Sequence, residues 1–392
     1  MKKLSTVSGG NTATAAYITT CLYWCSIYVY VPILGTYCEM MDISYTMIGT
    51  ILSSYGLVQL IMRIPIGVVS DRMGKKKPFM IFGMCCSVIS GLIFFLADSA
   101  IMMLLGRSLA GLSAATWAIF MVNYCSYLPV DLQSKGMGTI GTTTYLGQVV
   151  ATVAGGIIAS VFSERLTFII SSITAIIGMS LVFILPDAKR TSEPSPKLSD
   201  FLMMLRNPDL IYFSLLAVVM QIAVYSGVLG FVPNILKNLG GSNIILGLGS
   251  AFASLLGIVT SLLSGTFFER RVGYKPSIFI SFLLVSLMLV LTGLTESIPL
   301  ILLFTLITSG PRGLIQTMLN SLAIRGIEPQ LRSAAASVFQ SIYGLGMTIG
   351  PALTGLVADL YGVKTAFIVV GAFTLMAASV VLFRNRWPEW VE

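Results

Sequence analysis

Thr305, Ser309, Arg312, Gln316 and Asn320 form a polar stripe on an otherwise apolar stretch, with an arginine at its middle. Offsets of three and four residues bring such side chains onto one helix face. A guanidinium offers forked donors suited to a carboxylate or a phosphate. A second arginine, Arg107, stands about eight residues inside another apolar stretch. Placing either charge at the centre of a hydrocarbon layer costs about 2.5–3.5 kcal/mol on insertion scales, so such arginines usually line a water-filled path. The chemistry this suggests is reception of an anionic group. For Arg312 a second reading stays open: donation to broken-helix carbonyls beside Gly310, Pro311 and Gly313.

The elements that must position these residues are apolar and long. The chain has 392 residues, of which 56% are apolar and only 10% charged, with mean hydropathy +0.90. Soluble domains carry about a quarter charged residues. Runs of about 20 residues cross ~30 Å of hydrocarbon at 1.5 Å per residue. Twelve such runs are present, at roughly 15–38, 45–66, 78–97, 100–127, 136–161, 166–185, 210–233, 243–267, 276–295, 299–324, 333–357 and 364–384. The start, MKKL before an apolar run, reads as a retained first helix, because no small-residue cleavage site follows. A polar stretch at 187–209, with Pro194, Pro196 and Pro208, divides the runs six and six and reads as a linker with a short amphipathic piece near Phe201–Leu205.

The net charge of +8 does not call for nucleic acid. With both termini placed in the cytoplasm, 18 of the 24 basic residues fall on that side, and only Arg165, Lys237 and Lys364 fall outside. Arg63, Arg107 and Arg312 lie within spans. The positive-inside rule then sets the orientation and a multi-pass location in the cytoplasmic membrane. Arg63 reads as an inner-face residue that meets Asp71 or phosphate headgroups. Trp387 and Trp390 read as interfacial anchors.

The same sequence argues against enzyme chemistry. All sixteen acidic residues fall in loops or at span ends, and there is no histidine. The six cysteines have no metal-type spacing, and five lie inside predicted spans. No G-x-x-x-x-G-K-[S/T] loop is present, so nucleotide-driven pumping is not expected. Neither a metal nor a cofactor is expected.

A short motif recurs at four helix ends. Gly67, Asp71, Gly74 and Phe79 stand at offsets 0, +4, +7 and +12, and Gly355, Asp359, Gly362 and Phe367 repeat them. Gly156, Ser160, Ser163 and Phe168 keep the spacing, while Gly265 and Glu269 open a copy that slips by one residue to Gly273. The halves also match through Pro32 with Pro233 and Gly56 with Gly257, both shifted by 201. Such inverted three-helix repeats build two access states around a midplane site.

Gly67-x-x-x-Asp71-Arg72-x-Gly74-Lys75-Lys76-Lys77 resembles the signature of the major facilitator superfamily, and the likeness to its bacterial twelve-span members runs over the whole chain. Arg107-x-x-x-Gly111 resembles the family's fourth-span motif, which leaves a structural and coupling role open for Arg107. The fifth span departs from the antiporter pattern: Gly147 is followed by Ala151-Thr152 before Gly155-Gly156, and Gly-Pro appears instead as Gly350-Pro351. The resemblance implies an all-α membrane protein with two pseudo-symmetric six-helix bundles, 1–186 and 210–392, joined by the 187–209 linker. It implies that spans one, four, seven and ten line the central path. Asp71 would then face the start of span eleven near Ser333, as a gate latch with Gly67, Arg72, Gly74 and Lys75.

Within that frame Trp24 and Tyr28 of span one, and Gln221 and Tyr225 of span seven, are candidates for an apolar or aromatic part of the cargo. Gln316 and Asn320 join Arg312 and Arg107 as polar candidates. Tyr145, Gln148 and Thr152 form a further strip in span five. The function expected is secondary or facilitated transport of a small, anionic organic solute, by exchange, uniport or a proton carried on the substrate. The alternative is a lipophilic drug/proton antiporter. The chain is expected to act as a monomer whose partners are the solute and the bilayer, without nucleic acid.

Overall fold

The computed structural model describes residues 2–129, 132–187, 198–328, 331–384 and 387. Residues 188–197 of the expected linker lie outside them, as do Arg386 and Trp390. Among the described residues the regular structure is helical throughout. Twelve helices are long and apolar enough to cross a membrane: Asn11–Met40, Tyr45–Met73, Lys77–Leu96, Ala100–Cys125, Thr139–Val161, Glu164–Ile184, Pro208–Asn238, Asn243–Leu263, Tyr274–Leu294, Ile298–Arg325, Ala334–Tyr361 and Val363–Phe383. They are numbered here as spans one to twelve. The chain therefore returns to the side on which it starts, and the loops after spans two and eight share that basic end.

Local chemistry explains where the helices begin and stop. Ser44, Ser163 and Asn207 each accept a backbone N–H at the start of spans two, six and seven. Such caps satisfy one of the orphan donors of a helix start. The closing glycines of the recurrent motif, Gly74, Gly273 and Gly362, take φ of +64°, +87° and +85°. Only glycine adopts that conformation without steric cost. The sequence-based limit of span two at residue 66 falls short, since the helix runs on to Met73. Hydropathy fades where a helix leaves the hydrocarbon, whereas its hydrogen bonds continue.

Three of the spans expected to line a path are interrupted near their middles. Span one breaks between Tyr28 and Val31, and span four breaks at Thr116. Span seven passes through a wider π-helical stretch, Ala223–Phe231. Span ten carries Pro311 inside its helix. Irregular backbone at membrane depth is tolerated where it is buried in protein or lines a cavity.

Spans one to six pack among themselves, as do seven to twelve, and the two groups meet along spans two with eleven and five with eight. The outer surface is apolar, with Ile101, Ile184 and Phe383 well exposed. Inside, small polar residues hold helices together: Ser26 donates to Ser87 at 3.1 Å, and Ser171 donates to the Ser26 carbonyl at 2.5 Å. In lipid such short side chains allow close helix approach and supply interhelical hydrogen bonds.

Candidate functional site

Arg107 is buried, at 4% exposure, in the first half of span four. Its guanidinium carbon lies 4.3 Å from the Tyr55 ring centre and 6.0 Å from that of Tyr30. One Nη donates to the Tyr30 hydroxyl at 3.4 Å, and the buried Nε has no partner among the described residues. Gly111, one turn on, admits span two: a Cβ there would lie 2.5 Å from the Tyr55 carbonyl oxygen. Arg107, Tyr28, Leu52 and Tyr225 line a cavity of about 10 Å³, room for about one water.

Arg312 donates to the Ala253 carbonyl at 3.0 Å and to the Ser254 hydroxyl at 3.3 Å. The carbonyl thus belongs to span eight, not to the broken backbone beside Gly310. Gly313 brings the two helices together, since a Cβ there would lie 2.3 Å from the Gly257 carbonyl oxygen. Span eight is the nearer source of acceptors, while Thr260 occupies the Gly310 carbonyl at 2.7 Å. The Ser254 hydroxyl in turn donates a hydrogen bond to the Gln148 amide oxygen of span five at 2.5 Å. A relay Arg312–Ser254–Gln148 therefore crosses the bundle boundary. Tyr145 adds its ring, 6.0 Å from the Arg312 guanidinium carbon.

Gln221 and Gln316 meet directly, the Gln221 amide donating to the Gln316 oxygen at 3.0 Å. Asn320, one turn on from Gln316, has a buried amide oxygen without a partner among the described residues. Trp24 sits among Tyr23, Tyr28 and Trp117 at ring separations of 5.1–5.7 Å, and its indole N–H has no partner among the described residues. Tyr225 stacks on Tyr55 of span two at 6.2 Å and shares a cavity with Tyr28, the neighbour of Trp24. Tyr55 and Ser254 were not evident as site residues from sequence, and no local pattern marks them.

The copies of the motif differ between the two ends of the molecule. At the basic end, Arg63 does not pair with Asp71. It bridges the bundles instead, donating to Gln340 at 2.8 Å and to the Tyr343 hydroxyl at 3.5 Å. Asp71 is held by the Lys76 ammonium of its own loop, which is nearer than a side chain two turns back. Arg72 and Lys75 are exposed, and Lys77 donates to the Phe183 carbonyl at the end of span six at 2.6 Å. The Ser333 side chain lies outside what is described, but Ser337 and Gln340 of span eleven share with Arg63, Gly67 and Asp71 a cavity of about 150 Å³. A Cβ added to Gly67 or to Gly141 would have nothing within 4 Å.

At the far end the copies are closed on the opposite bundle. A Cβ on Gly156 would lie 2.6 Å from the Asn243 carbonyl oxygen, and one on Gly355 2.2 Å from that of Tyr45. Asp359 accepts the Tyr45 and Thr46 backbone N–H groups at 2.8 and 2.7 Å. Asn243 donates to Ala159 at 3.2 Å and to Glu164 at 2.8 Å. The two bundles are thus in backbone contact at the far end, while at the basic end a cavity lies beside Gly67, with Arg63 still joined to span eleven.

Trp387 is not an exposed anchor. It is 8% exposed and packs on Tyr212 and Phe213 of span seven, with Arg384 3.8 Å from the Tyr212 ring centre. The pull of neighbouring rings on the guanidinium, which also meets Asp209, accounts for this inward turn. Among the described residues no group of three acidic, cysteine or histidine side chains could hold a metal.

Comparison with known proteins agrees with this geometry. The family model described as Major Facilitator Superfamily matches residues 16–338 and 214–390. A mutant of the nucleoside transporter NupG superposes with TM-score 0.84 at 15% identity, covering 96% of this chain and 100% of that one. A bacterial homologue of the human lysosomal transporter Spinster, in an inward-facing occupied conformation, gives 0.79 at 17%, covering 97% and 98%. The human organic anion transporter MFSD10 (TETRAN) gives 0.67 at 17%, covering 95% and 99%. With twelve candidate spans among the described residues and this family match over most of its length, the chain belongs to the major facilitator superfamily and is a multi-pass membrane transporter rather than an enzyme.

Proposed function

We propose that this transporter carries a small organic anion across the cytoplasmic membrane by alternating access, with both termini in the cytoplasm. The carrying observation is Arg107, a buried guanidinium for which no ion pair is found among the described residues. Its partners, a hydroxyl and aromatic faces, offset only part of the cost of removing a charge from water. Arg312 likewise has no carboxylate partner among the described residues, so an anion between the bundles would answer two cations. MFSD10, a fold relative, is an organic anion transporter. The cavity beside Gly67 and Asp71 at the basic end supports an inward-facing reading, the conformation of the Spinster homologue of similar fold. Exchange, uniport or a proton riding on the substrate suits a path whose neighbouring ionisable groups are arginines and tyrosines.

Lipophilic drug/proton antiport is the second reading, supported by the aromatic cluster of Tyr23, Trp24, Tyr28 and Trp117. The test is uptake into proteoliposomes of anionic solutes, nucleosides and lipophilic cations, with and without a pH gradient. Anion uptake stimulated by internal anion without a gradient is expected. Cation uptake that requires the gradient would overturn the proposal in favour of antiport.

A further inference from the structure

Asp71 and Asp359 occupy the same offset in two motif copies at opposite ends of the molecule, yet their carboxylates are engaged differently. Asp359 reaches across the bundle boundary to the first two N–H groups of span two, at 2.8 and 2.7 Å. A carboxylate is favourable there because helix starts present unpaired donors and a positive dipole end. Tyr45, whose N–H it takes, is held a second time: its hydroxyl accepts from Asn238 at the end of span seven at 3.2 Å. Gly355, four residues before Asp359, makes this approach possible, since any side chain would meet the Tyr45 carbonyl. In the other copy the equivalent Gly67 has open space beside it and Asp71 has turned to Lys76.

We infer that Gly355 and Asp359 form a far-side clasp that closes onto Tyr45 and Thr46, reciprocal to the Gly67–Asp71 clasp at the basic end. Each carboxylate caps the first turn of the opposite bundle's helix when its own side is shut, and only one clasp is engaged at a time. Asp359 therefore biases the equilibrium between the two access states. The inference rests on the alternating-access part of the proposed function and is indifferent to the cargo.

The test is distance measurement by electron spin resonance on the full-length protein in liposomes, with native cysteines replaced and no substrate added. One label pair, Asp98→Cys with Glu296→Cys, reports the far end, and Met73→Cys with Arg270→Cys reports the basic end. These four positions are exposed. Asp359→Asn should raise the population with a long far-end distance roughly tenfold, the scale of one charge-assisted hydrogen bond, and shorten the basic-end distance. Gly355→Ala should shift both pairs in the same sense, and Asp71→Asn in the opposite sense. Far-end distances unchanged in Asp359→Asn and Gly355→Ala, or a lengthening at both ends together, would overturn the clasp. Because no solute is present, that outcome leaves the anion reading to be judged by the uptake assay.

Discussion

The Arg107 guanidinium lies 4.3 Å from the centre of the Tyr55 ring, and that ring stacks in turn on Tyr225 across the bundle boundary at 6.2 Å. A cation in span four is thereby linked through span two to the interrupted part of span seven. A desolvated cation–π contact is worth about 2 kcal/mol, whereas burying an ion costs several kcal/mol even after relaxation. The difference leaves a site that an anion would stabilise, and it is placed where one bundle touches the other.

Arg107→Gln should lower uptake of an anionic solute at least about tenfold, the effect of losing roughly 1.4 kcal/mol of binding. Tyr55→Phe keeps the ring face and should keep most of the activity, whereas Tyr55→Leu should behave like Arg107→Gln. Initial uptake rates in proteoliposomes check this. Full anion uptake by Arg107→Gln would leave the residue a structural role only.

The Arg312–Ser254–Gln148 relay makes a separate prediction. Ser254→Ala removes the hydroxyl that joins span eight to span five but leaves the Ala253 carbonyl available to Arg312. It should cost about 1 kcal/mol in stability and alter transport rate more than apparent affinity. Arg312→Gln should impair both. A concentration series of uptake separates the two effects, and equal losses of affinity in both variants would argue against Ser254 as a bridging group.

The spans, the repeated motif and the family were legible in the sequence because each depends on local properties: hydropathy, helical spacing and glycines that end helices with positive φ. The position of Arg107 and Arg312 in apolar surroundings was legible for the same reason. Their partners were not. Which carbonyl Arg312 finds depends on span eight being drawn close by Gly257 and Gly313, and Tyr55 lies under Arg107 only because Gly111 admits span two. Asp359 was visible as a motif copy, yet its role required knowing that span two begins beside it. Trp387 shows the converse, a tryptophan whose likeness to an interfacial anchor was overridden by neighbouring rings and Arg384.

Glu269, beyond the end of span eight, gives a pH signature. Burial pushes its carboxyl up, but hydrogen bonds from Tyr274 and Arg325 outweigh this and hold it below the ordinary range. A carboxylate with a depressed folded value contributes stability above its unfolded value of about 4.3, and loses it as pH falls through the folded value. The side chains of the pair are partly exposed, which limits the contribution to about 1 kcal/mol. Glu269→Gln should therefore melt slightly lower than wild type at pH 7 and converge with it under acid conditions. A difference that grew on acidification would reverse the sign of this argument.

Gly156 and Gly141 lie near opposite ends of one helix, span five. A Cβ on Gly156 would stand 2.6 Å from the Asn243 carbonyl oxygen and 2.9 Å from the Gly247 Cα, both on the opposite bundle's backbone. Such atoms cannot swing aside as a flexible side chain would, so Gly156→Ala should force spans five and eight apart. Overpacking of this kind costs about 1–3 kcal/mol. Gly141 has open space at the corresponding position, and alanine is favoured over glycine within a helix by about 0.8–1.0 kcal/mol. Gly141→Ala should therefore raise the melting temperature of the purified protein slightly while Gly156→Ala lowers it. Shifts of the same sign in the two variants would show that the backbone contact at Gly156 does not set the two positions apart.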